Sequence, residues 1–527
     1  MRFFNTAGPV NPGKHYCLPP LERLALDRVL LLIEQEKYFV LHAPRQTGKT
    51  SCLLALADHL NAEGAYRCVY VDVELGQAER ENIDRAMRSI LGELGLQAQI
   101  TLGDDFVEKV AADLLQQHGG AGALSAVLTR WAEHSPQPLV LLIDEIDALI
   151  GDTLISVLRQ LRAGYARRPR HFPHSLILCG VRDVRDYRIH SGSEKAVIAG
   201  GSAFNIKAKS LRLGDFNRAE MEALYSQHTA ETGQGFQPEG LDCLWTLSQG
   251  QPWLVNALGY ETCFEMTAGR DRSQPITAAL VEEAKENLIL RRETHLDQLA
   301  DKLREERVRR VIEPLLAGED LAESFRSDDV AYLVDLGLIK QEFGQPIRIA
   351  NPIYQEVIPR ELGWDIQSGM SQQTTWYVNP DGRLDLHQLL AAFQTFFRQH
   401  AEHWVERFQY KEAGPQLLLQ AFLQRIVNGG GRIEREYGLG RMRTDLLVIW
   451  FYPGGTQLAV IELKLLHESL DRTLAQGLQQ TWDYLDRCGA EEGHLVIFDR
   501  TPGKSWEEKL FQRQGSIHGR TIQVWGM

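Results

Sequence analysis

The feature that most constrains the fold is a short turn between an apolar run and a helix-forming run. Residues 43–50 read APRQTGKT; they follow KYFVLH and precede SCLLALADHLNAEG. A strand–turn–helix of this kind points consecutive backbone N–H groups at the phosphates of a nucleotide, and Gly48 lets the chain approach them closely. Because such a turn joins a parallel strand to its crossover helix, it predicts a doubly wound α/β domain.

The residue types in this turn are those that phosphates and a divalent cation require. The Lys49 amine reaches the β- and γ-phosphates, and the Thr50 hydroxyl is a ligand for Mg²⁺. The first position is alanine where the usual GxxxxGK[ST] pattern has glycine, and its small side chain is tolerated there. ATP and Mg²⁺ (or Mn²⁺) are therefore the predicted cofactors. The predicted nucleotide-binding residues are Ala43, Pro44, Arg45, Gln46, Thr47, Gly48, Lys49, Thr50, Ser51 and Asp144.

A second apolar run, LVLLIDEID at 139–147, ends in carboxylates. At the carboxyl end of a parallel strand, Asp144 is predicted to hold the cation through its water shell. Glu145 is predicted to polarise the attacking water, as the catalytic residue. Strands buried on both faces, as in a parallel sheet, are predicted from apolar runs without period-2 alternation at 37–43, 66–73, 138–145 and 174–181. A helix is predicted at 21–35.

Residues 14–300 resemble the AAA-like branch of bacterial P-loop ATPases, near the STAND and origin-recognition types. The resemblance is carried by HAPRQTGKT, LLIDEID, LILCGVRDVRD, SAFNI at 202–206 and SQGQPWLVNAL. It implies ATP hydrolysis, a polar sensor at Arg182 or Asp183, and a lid whose Gly-Gln-Pro motif at 250–252 approaches the nucleotide. It also implies a homo-oligomer formed through the ATPase domain, with a partner protein as a candidate trigger.

From about residue 216 the pattern becomes helical, with a break at the Gly-Gln-Pro motif. Residues 328–358 combine a helix ending near Gly337 with two strand-like runs around a second Gly-Gln-Pro turn, which resembles the recognition helix and wing of a winged-helix domain. The polar stretch 365–380 is a predicted linker. The predicted domains are an ATPase core, a helical lid, a winged helix, a linker with a lead-in helix, and a C-terminal α/β module, at 1–215, 216–294, 295–364, 365–395 and 396–527.

The C-terminal module carries a second set of charged residues on a predicted hairpin. TDLLVIW and LAVIELKLL are strand-like runs joined by a turn at 453–455. If the hairpin is centred between Pro453 and Gly454, Asp445 falls opposite Glu462. Opposed Cβ atoms lie about 5 Å apart, so both carboxylates can hold one divalent cation. Lys464 shares a face with Glu462 because strand side chains alternate.

This D-x₁₆-E-x-K spacing resembles the PD-(D/E)XK nuclease superfamily, which has a restriction-endonuclease-like α/β fold. The resemblance implies Asp445 and Glu462 as catalytic metal ligands and Lys464 as the residue that orients the attacking water. Gln480, as an orienting catalytic residue, and Tyr484 match the Q-x₃-Y motif of the exonuclease-like branch. Thr444 stands where the superfamily's name has proline, and the predicted helix at 415–431 has no glutamate where the family often has one.

Composition excludes several classes of protein. A chain of 527 residues is too long for one hydrophobic core. No run approaches the roughly 18 apolar residues of a membrane span, so no membrane partner is expected. The seven cysteines are scattered without a CxxC pair, which favours a reducing cytoplasm and argues against a zinc site. The net charge of −13 excludes a uniformly basic nucleic-acid surface.

Together these features predict a cytoplasmic, ATP-driven, metal-dependent nuclease that acts on nucleic acid, with DNA as the first candidate. By association, the pairing of domains resembles bacterial proteins of phage defence and mobile-element conflict. Two alternatives stay open. One is a signalling or scaffold NTPase whose C-terminal module binds DNA or protein without cutting. The other is a replication- or transposition-type loader that uses the winged helix.

Overall fold

The computed structural model of the chain divides into two compact units. The first comprises Met1–Arg291 and Ala331–Leu338, and the second comprises Arg292–Val330 and Ile339–Met527. The predicted linker falls largely outside the described residues, which are 1–183, 188–191, 196–199, 204–291, 294–303, 305–316, 327–342, 345–362, 377–407, 419, 422–423, 431–439, 442–466, 469–499, 501 and 504–527. Among these residues, no helix has both the length and the apolar character needed to cross a bilayer.

The strands of the first unit form one central sheet and two small pairs. They are β1 Phe3–Phe4, β2 His15–Tyr16, β3 Tyr38–His42, β4 Arg67–Asp72, β5 Leu139–Asp144, β6 Ser175–Gly180, β7 Arg188–Ser191, β8 Ala196–Ala199 and β9 Lys207–Arg212. The central sheet has the order β4-β5-β6-β3-β9, and every neighbouring pair is parallel. Every residue of β3, β5 and β6 is buried, which confirms the predicted parallel sheet covered on both faces.

The fifth strand, β9, was not among the predicted strands. Its sequence KAKSLR is mostly charged or polar, and five of its six residues are exposed or half-buried, with Leu211 alone buried. It lies at the edge of the sheet beside β3. An edge strand needs little apolar sequence because only one neighbour and part of one face cover it. Periodicity therefore gives no signal for β9.

Helices of the first unit cover the sheet and then form a separate helical region from residue 218 onward. They are α1 Pro20–Arg23, α2 Leu26–Glu34, α3 Lys49–Glu63, α4 Ile83–Leu102, α5 Phe106–His118, α6 Gly120–His134, α7 Gly151–Gly164, α8 Arg218–Thr232, α9 Pro238–Ser248, α10 Pro252–Tyr260 and α11 Ala278–Arg291. Short 3₁₀ turns lie at Glu74–Glu79, Ile146–Ala148 and Tyr165–Arg167, and a π turn lies at Glu261–Glu265.

The single helix predicted at 21–35 is wrong in one respect, because Ala25 interrupts it. Ala25 has a left-handed φ of 51°, and α1 ends and α2 begins on either side of it. A left-handed residue cannot continue a right-handed helix. The apolar period runs through the interruption, so the pattern alone does not reveal it. The predicted break at 250–252 is confirmed, since α9 ends at Ser248 and α10 begins at Pro252.

The second unit contains a helical part followed by a six-stranded sheet. Its helices are α12 Thr294–Leu303, α13 Glu306–Leu316, α14 Ser327–Asp335, α15 Pro352–Leu362, α16 Leu386–Arg407, α17 Leu470–Cys488 and α18 Trp506–Lys509. Helix α14 begins in the second unit and ends in the segment Ala331–Leu338, which belongs to the first unit. Its strands are β10 Ile339–Lys340, β11 Arg348–Ile349, β12 Gly431–Leu439, β13 Met442–Tyr452, β14 Gly455–Leu465, β15 Glu492–Phe498, β16 Phe511–Ile517 and β17 Arg520–Gly526.

The large sheet of the second unit is mixed and has the order β12-β13-β14-β15-β17-β16. Strands β12, β13 and β14 form an antiparallel meander, whereas β14, β15 and β17 are parallel. One face packs on a cluster that includes Phe393 and Phe397 of α16. The other face packs on a cluster that includes Tyr484 and Leu485 of α17. Because side chains alternate along β14, successive residues of this strand face α16 and α17 in turn.

Candidate functional site

The turn between β3 and α3 is held in a shape that favours glycine at one position. Gly48 has a φ of 90°, and a Cβ added there would lie 2.9 Å from Nη1 of Arg23. Gln46 also adopts a left-handed φ, of 57°. Helix α3 begins at Lys49, so its first N–H groups, which have no partner within the helix, lie at the turn. This is the backbone arrangement that binds phosphate.

Lys49 lies inside the turn rather than in solvent. Its side chain is buried, and Nζ donates to the carbonyl oxygens of Ala43 at 3.1 Å and of Pro44 at 3.0 Å. The Thr47 hydroxyl donates to the same Pro44 carbonyl at 2.8 Å. The ammonium group is thus fixed at the turn by weak neutral acceptors, which phosphate oxygens can replace with a stronger charged contact.

The two predicted Mg²⁺ ligands of this site lie side by side. Thr50 Oγ1 donates to Oδ2 of Asp144 at 2.8 Å, and Asp144 is fully buried at the end of β5. The Tyr70 hydroxyl, from the neighbouring strand β4, donates to the same oxygen at 3.2 Å. Burial, with Asp144 as the next contributor, raises the pKa of Tyr70 well above its usual value. A hydroxyl and a carboxylate are hard oxygen donors, so this pair fits Mg²⁺.

Glu145 has the properties of a base next to this pair. It has a left-handed φ of 53° immediately after β5, which is uncommon for a residue with a side chain. Burial raises the pKa of Glu145 to about 7, with Asp144 and Asp147 adding to the shift and Lys49 opposing it. A carboxylate with a raised pKa is a stronger base at neutral pH. Asp147, two residues on, instead accepts the Val181 N–H at 3.2 Å.

The two sensor candidates after β6 have different partners. Asp183 is buried and forms an ion pair with Lys207 of β9. The Arg182 guanidinium lies over the Tyr332 ring, 4.4 Å from its centroid, in the segment Ala331–Leu338 of the same unit. Which of the two senses nucleotide stays a prediction.

Beside the turn lies a cavity of about 110 Å³ that the sequence analysis missed. Its walls include Gly48 and Ser51 from the phosphate turn and Trp253 and Asn256 from α10, together with the N-terminal loop. That loop is tied to the turn because the Val10 N–H donates to Ser51 Oγ at 3.0 Å. No recognisable pattern marks the N-terminal loop, so only the fold brings it here.

The Gly-Gln-Pro motif at 250–252 forms the start of α10. The Gln251 side chain caps the helix by accepting the Leu254 N–H at 2.6 Å, and Pro252 occupies the first turn. Gly250 has a φ of 78°, and an added Cβ there would collide with the Phe216 carbonyl oxygen at 1.9 Å. The motif thus places α10 with Pro252 in the wall of the cavity.

In the second unit the predicted hairpin register is confirmed for the residue pairs between Leu446 and Tyr452 of β13 and Gly455 and Ile461 of β14. Strands β13 and β14 pair from Tyr452↔Gly455 to Leu446↔Ile461. Asp445 is the next residue of β13, and Glu462 is the next residue of β14. The Asp445 side chain lies outside the described residues, so its approach to Glu462 stays a prediction.

Glu462 and Lys464 form a contact at the sheet face that α17 covers. Glu462 is 2% exposed, and Lys464 Nζ donates to its Oε1 at 2.6 Å. Val460, of the same parity on β14, packs with Tyr484 of α17. Gln480 lies one turn before Tyr484, and its buried Oε1 has no hydrogen-bond partner among the described residues. No cluster of three metal-binding His, Cys, Asp or Glu side chains occurs within the described part of the chain.

Comparison with known proteins identifies the first of these sites. A family model described as an AAA domain matches residues 33–187, so the first unit carries an AAA-type P-loop ATPase domain. No curated protein matches the chain.

Solved structures with a similar chain course have low sequence identity. The Walker-type ATPase Paby2304 of Pyrococcus abyssi is 14% identical, with 67% of this chain and 99% of that chain covered and a TM-score of 0.47. Cdc6p of Pyrobaculum aerophilum is 15% identical, with 66% and 95% covered and a TM-score of 0.35. Drosophila ORC bound to DNA is 12% identical, with 76% and 87% covered and a TM-score of 0.35.

Proposed function

We propose that this chain is an ATP-hydrolysing, metal-dependent nuclease whose C-terminal module cuts nucleic acid, with DNA as the first candidate substrate. The observation that carries the nuclease part is the contact between the buried carboxylate of Glu462 and the half-buried Lys464, on a hairpin whose register leads to Asp445 opposite Glu462. The ATPase part rests on the AAA domain match together with the Lys49, Thr50, Asp144 and Glu145 geometry.

In the ATPase site each side chain has a separate task. Lys49 binds the β- and γ-phosphates through its ammonium group, and the N–H groups at the start of α3 orient them. Thr50 and Asp144 would hold Mg²⁺, which neutralises phosphate charge. Glu145 accepts a proton from the attacking water or orients it, since its raised pKa makes it basic near neutral pH.

The Glu462–Lys464 contact is costly as a purely structural feature. The Glu462 carboxylate is removed from water, whereas the Lys464 side chain is 26% exposed. Burying a carboxylate has a penalty that a half-exposed partner only partly offsets, and a well-packed apolar residue is often at least as stable. The neighbouring residues Ile461 and Leu463 are apolar and buried. A charged pair at this point is therefore better explained by chemistry than by packing.

The donor set also suits phosphodiester cleavage. Carboxylates at Glu462 and Asp445 would hold Mg²⁺ or Mn²⁺, which would activate water and neutralise charge at the scissile phosphate. Lys464, two residues along the same strand, would orient that water and stabilise the developing negative charge. The amide of Gln480 supplies a further polar group on α17.

The wider role belongs to the same proposal. The antiparallel pair β10–β11 supports a winged-helix contact with duplex nucleic acid, and the ATPase domain supports assembly of several copies. A place in phage defence or mobile-element conflict rests on the resemblance of the domain pairing, as does a trigger from a partner protein.

The test is cleavage of labelled duplex DNA, single-stranded DNA and RNA by the full chain, with and without ATP, in Mg²⁺ or Mn²⁺. Glu462→Gln is the test variant because it keeps the shape and removes the charge. Glu492→Gln is the matched control, since Glu492 is a carboxylate of the same sheet that is hydrogen-bonded to His494 at 2.8 Å. Cleavage that survives in the control and disappears in the test variant supports the proposal.

Two outcomes of this cleavage experiment would contradict the proposed nuclease site or the proposed nuclease activity. Equal cleavage by the wild type and the Glu462 variant would place the catalytic carboxylates elsewhere. A wild type that binds these nucleic acids without cutting any of them would favour the alternative of a signalling, scaffold or loader-type NTPase. ATP-dependent assembly on duplex DNA would then distinguish the loader from the scaffold.

A further inference from the structure

We propose that Arg23 is a positioning residue of the ATP site, which holds one peptide of the phosphate turn in its binding orientation and joins that turn to the start of the lid. No predicted motif includes this residue. The proposal rests on three contacts of one guanidinium group. Nη1 donates to the Thr47 carbonyl at 2.8 Å, Nη2 donates to the Gly214 carbonyl at 2.9 Å, and the group lies over the Phe216 ring, 4.5 Å from its centroid.

The first contact fixes the direction of a phosphate-binding N–H. A trans peptide is planar, so its C=O and N–H point in opposite directions. The carbonyl of the peptide between Thr47 and Gly48 is directed to Arg23, outside the turn. The Gly48 N–H of the same peptide must therefore point the other way, which is the orientation that phosphate binding by consecutive N–H groups requires.

The close fit at Gly48 supports the same role. A Cβ at residue 48 would lie 2.9 Å from Arg23 Nη1, and the φ of 90° disfavours any side chain there. The guanidinium therefore lies directly against the glycine that lets the chain approach phosphate. The break at Ala25 ends α1 at Arg23 and frees this residue from a continuous helix.

The other two contacts connect the turn to the lid. Gly214 and Phe216 follow β9 and precede α8, the first helix of the lid region. The Phe216 N–H donates to the Gly250 carbonyl at 2.8 Å, next to the motif that begins α10. A single planar group therefore links the phosphate turn, the strand-to-lid connection and the wall of the cavity. Lysine cannot reproduce this arrangement, because its donors all lie on one nitrogen and it has no planar face to stack on the Phe216 ring.

This arrangement makes a specific prediction about ligands. If Arg23 orients the phosphate turn, its loss weakens binding of every ligand with a di- or triphosphate and leaves a nucleoside without phosphates unaffected. If Arg23 only supported the packing of the unit, adenosine and ADP would lose affinity together. The ratio of the loss in ADP affinity to the loss in adenosine affinity therefore shows whether Arg23 positions the phosphate turn or only supports the packing of the unit.

The experiment compares the full-length wild type with Arg23→Met and Arg23→Lys. Dissociation constants for ADP, ATP and adenosine are measured, with kcat and KM for ATP hydrolysis and the melting temperature. The matched control is Arg67→Met, because Arg67 forms an ion pair with Asp104 at 2.9 Å, is similarly shielded and lies on β4 away from the turn. We expect Arg23→Met to weaken ADP and ATP by about 10-fold or more, since two hydrogen bonds from a charged donor are lost.

The Arg23→Lys variant and the Arg67 control provide further tests of the positioning role of Arg23. Arg23→Lys is expected to keep one contact and to lose about 3-fold, with KM affected more than kcat. It also carries the test if Arg23→Met does not fold. Unchanged ADP affinity in a folded Arg23 variant, an equal loss for adenosine, or the same loss in the Arg67 control would overturn the proposal. ADP binding by the wild type is measured independently of nuclease activity, so failure of the cleavage proposal leaves this test intact.

Discussion

The phosphate turn of the first unit and the hairpin of the second concentrate charge in opposite ways. In the turn, most of the predicted phosphate donors are backbone N–H groups, and the buried cation of the turn, Lys49, donates to two carbonyl oxygens. In the hairpin, the charged groups are side chains, and the Lys464 ammonium group donates a hydrogen bond to the Glu462 carboxylate. A turn built from backbone tolerates substitution at most of its positions, whereas the hairpin depends on each individual charge.

The difference also concerns how many segments build each site. The predicted ATP site is formed by the turn after β3 and by residues of β4 and β5, and the adjoining cavity is lined by the N-terminal loop and the start of α10. The proposed metal site draws on two adjacent strands and one following helix. A site made from many segments responds to their relative movement, and a site on one hairpin is comparatively rigid. Variants at the ATP site should therefore also change the packing of neighbouring segments, whereas variants at the hairpin should have local effects.

The largest effect is expected at Lys49. Lys49→Ala removes the buried ammonium group and also leaves the Ala43 and Pro44 carbonyls without their donor. We expect ATP affinity to fall by about 100-fold or more and hydrolysis to be lost, because charge-assisted contacts to phosphate are the strongest in the site. Equilibrium binding of a fluorescent ATP analogue measures this directly. Near wild-type affinity would mean that the backbone alone binds the phosphates.

Glu145→Gln provides the contrast within the same site. The substitution keeps the side-chain shape and removes only the basic carboxylate, so binding is expected to stay within about 3-fold while hydrolysis falls by about 100-fold. Binding and turnover are measured on one preparation. If turnover were undiminished, the catalytic carboxylate would have to be another one, and Asp147 would be the next to test.

The second largest effect is expected at the hairpin. Asp445→Asn and Glu462→Gln should each abolish cleavage, and Lys464→Ala should reduce the chemical step by about 100-fold with little change in substrate binding. Single-turnover cleavage and nucleic-acid affinity, measured together, separate these effects. ATP hydrolysis should be unchanged in all three variants, since its residues belong to the first unit. Parallel loss of ATPase activity would mean that these substitutions disturb the first unit as well.

Sequence reasoning predicted the structure correctly where that structure depends on a contiguous motif or on strand pairing from a single turn. The phosphate turn, the buried carboxylate strand and the start of α10 are contiguous motifs, and the family match covers the first two. The hairpin register follows from its turn at Pro453 and Gly454, since antiparallel pairing propagates from the turn.

The contributions that were missed come from residues distant in sequence. Tyr70 reaches Asp144 across neighbouring strands, and Arg23 reaches Thr47 and Gly214 from a short helix. Neither residue differs in type or spacing from ordinary surface or strand residues, so no pattern distinguishes it. Strand β9 was missed for a related reason, because an edge strand carries few apolar residues. Long-range contacts of this kind depend on the order of strands, which periodicity does not report.

A smaller effect is expected from communication between the sites. Covalent linkage of an ATPase to a nuclease suggests that ATP changes the rate of cleavage, and we expect a change of about 5- to 20-fold, in the lower part of the range typical of coupling between sites. Cleavage by the wild type is compared with and without ATP, and the Lys49→Ala variant at matched concentration is the control. Wild-type rates should depend on ATP, and the variant's rates should not. Equal rates throughout would mean that the two units act independently.

The smallest effect is expected at Gln480, where stability and activity should move in opposite directions. Its buried Oε1 has no hydrogen-bond partner among the described residues, and an unsatisfied buried polar group costs about 1–3 kcal/mol. Gln480→Leu should therefore raise the melting temperature of the second unit by a few degrees. If the amide orients water or substrate beside Glu462, the same change should slow cleavage by about 3- to 10-fold.

The neighbouring residue supplies the control for Gln480. Gln479 is exposed on the same helix and donates to Asp483 Oδ1 at 3.0 Å, so Gln479→Leu removes an equivalent side chain from the solvent side. It should leave cleavage unchanged and give no increase in melting temperature. A Gln480 variant that gains stability without losing activity would make this glutamine an ordinary packing defect. A variant that loses both would mean that the amide has a structural partner, and the Q-x₃-Y resemblance would then carry no functional weight in this chain.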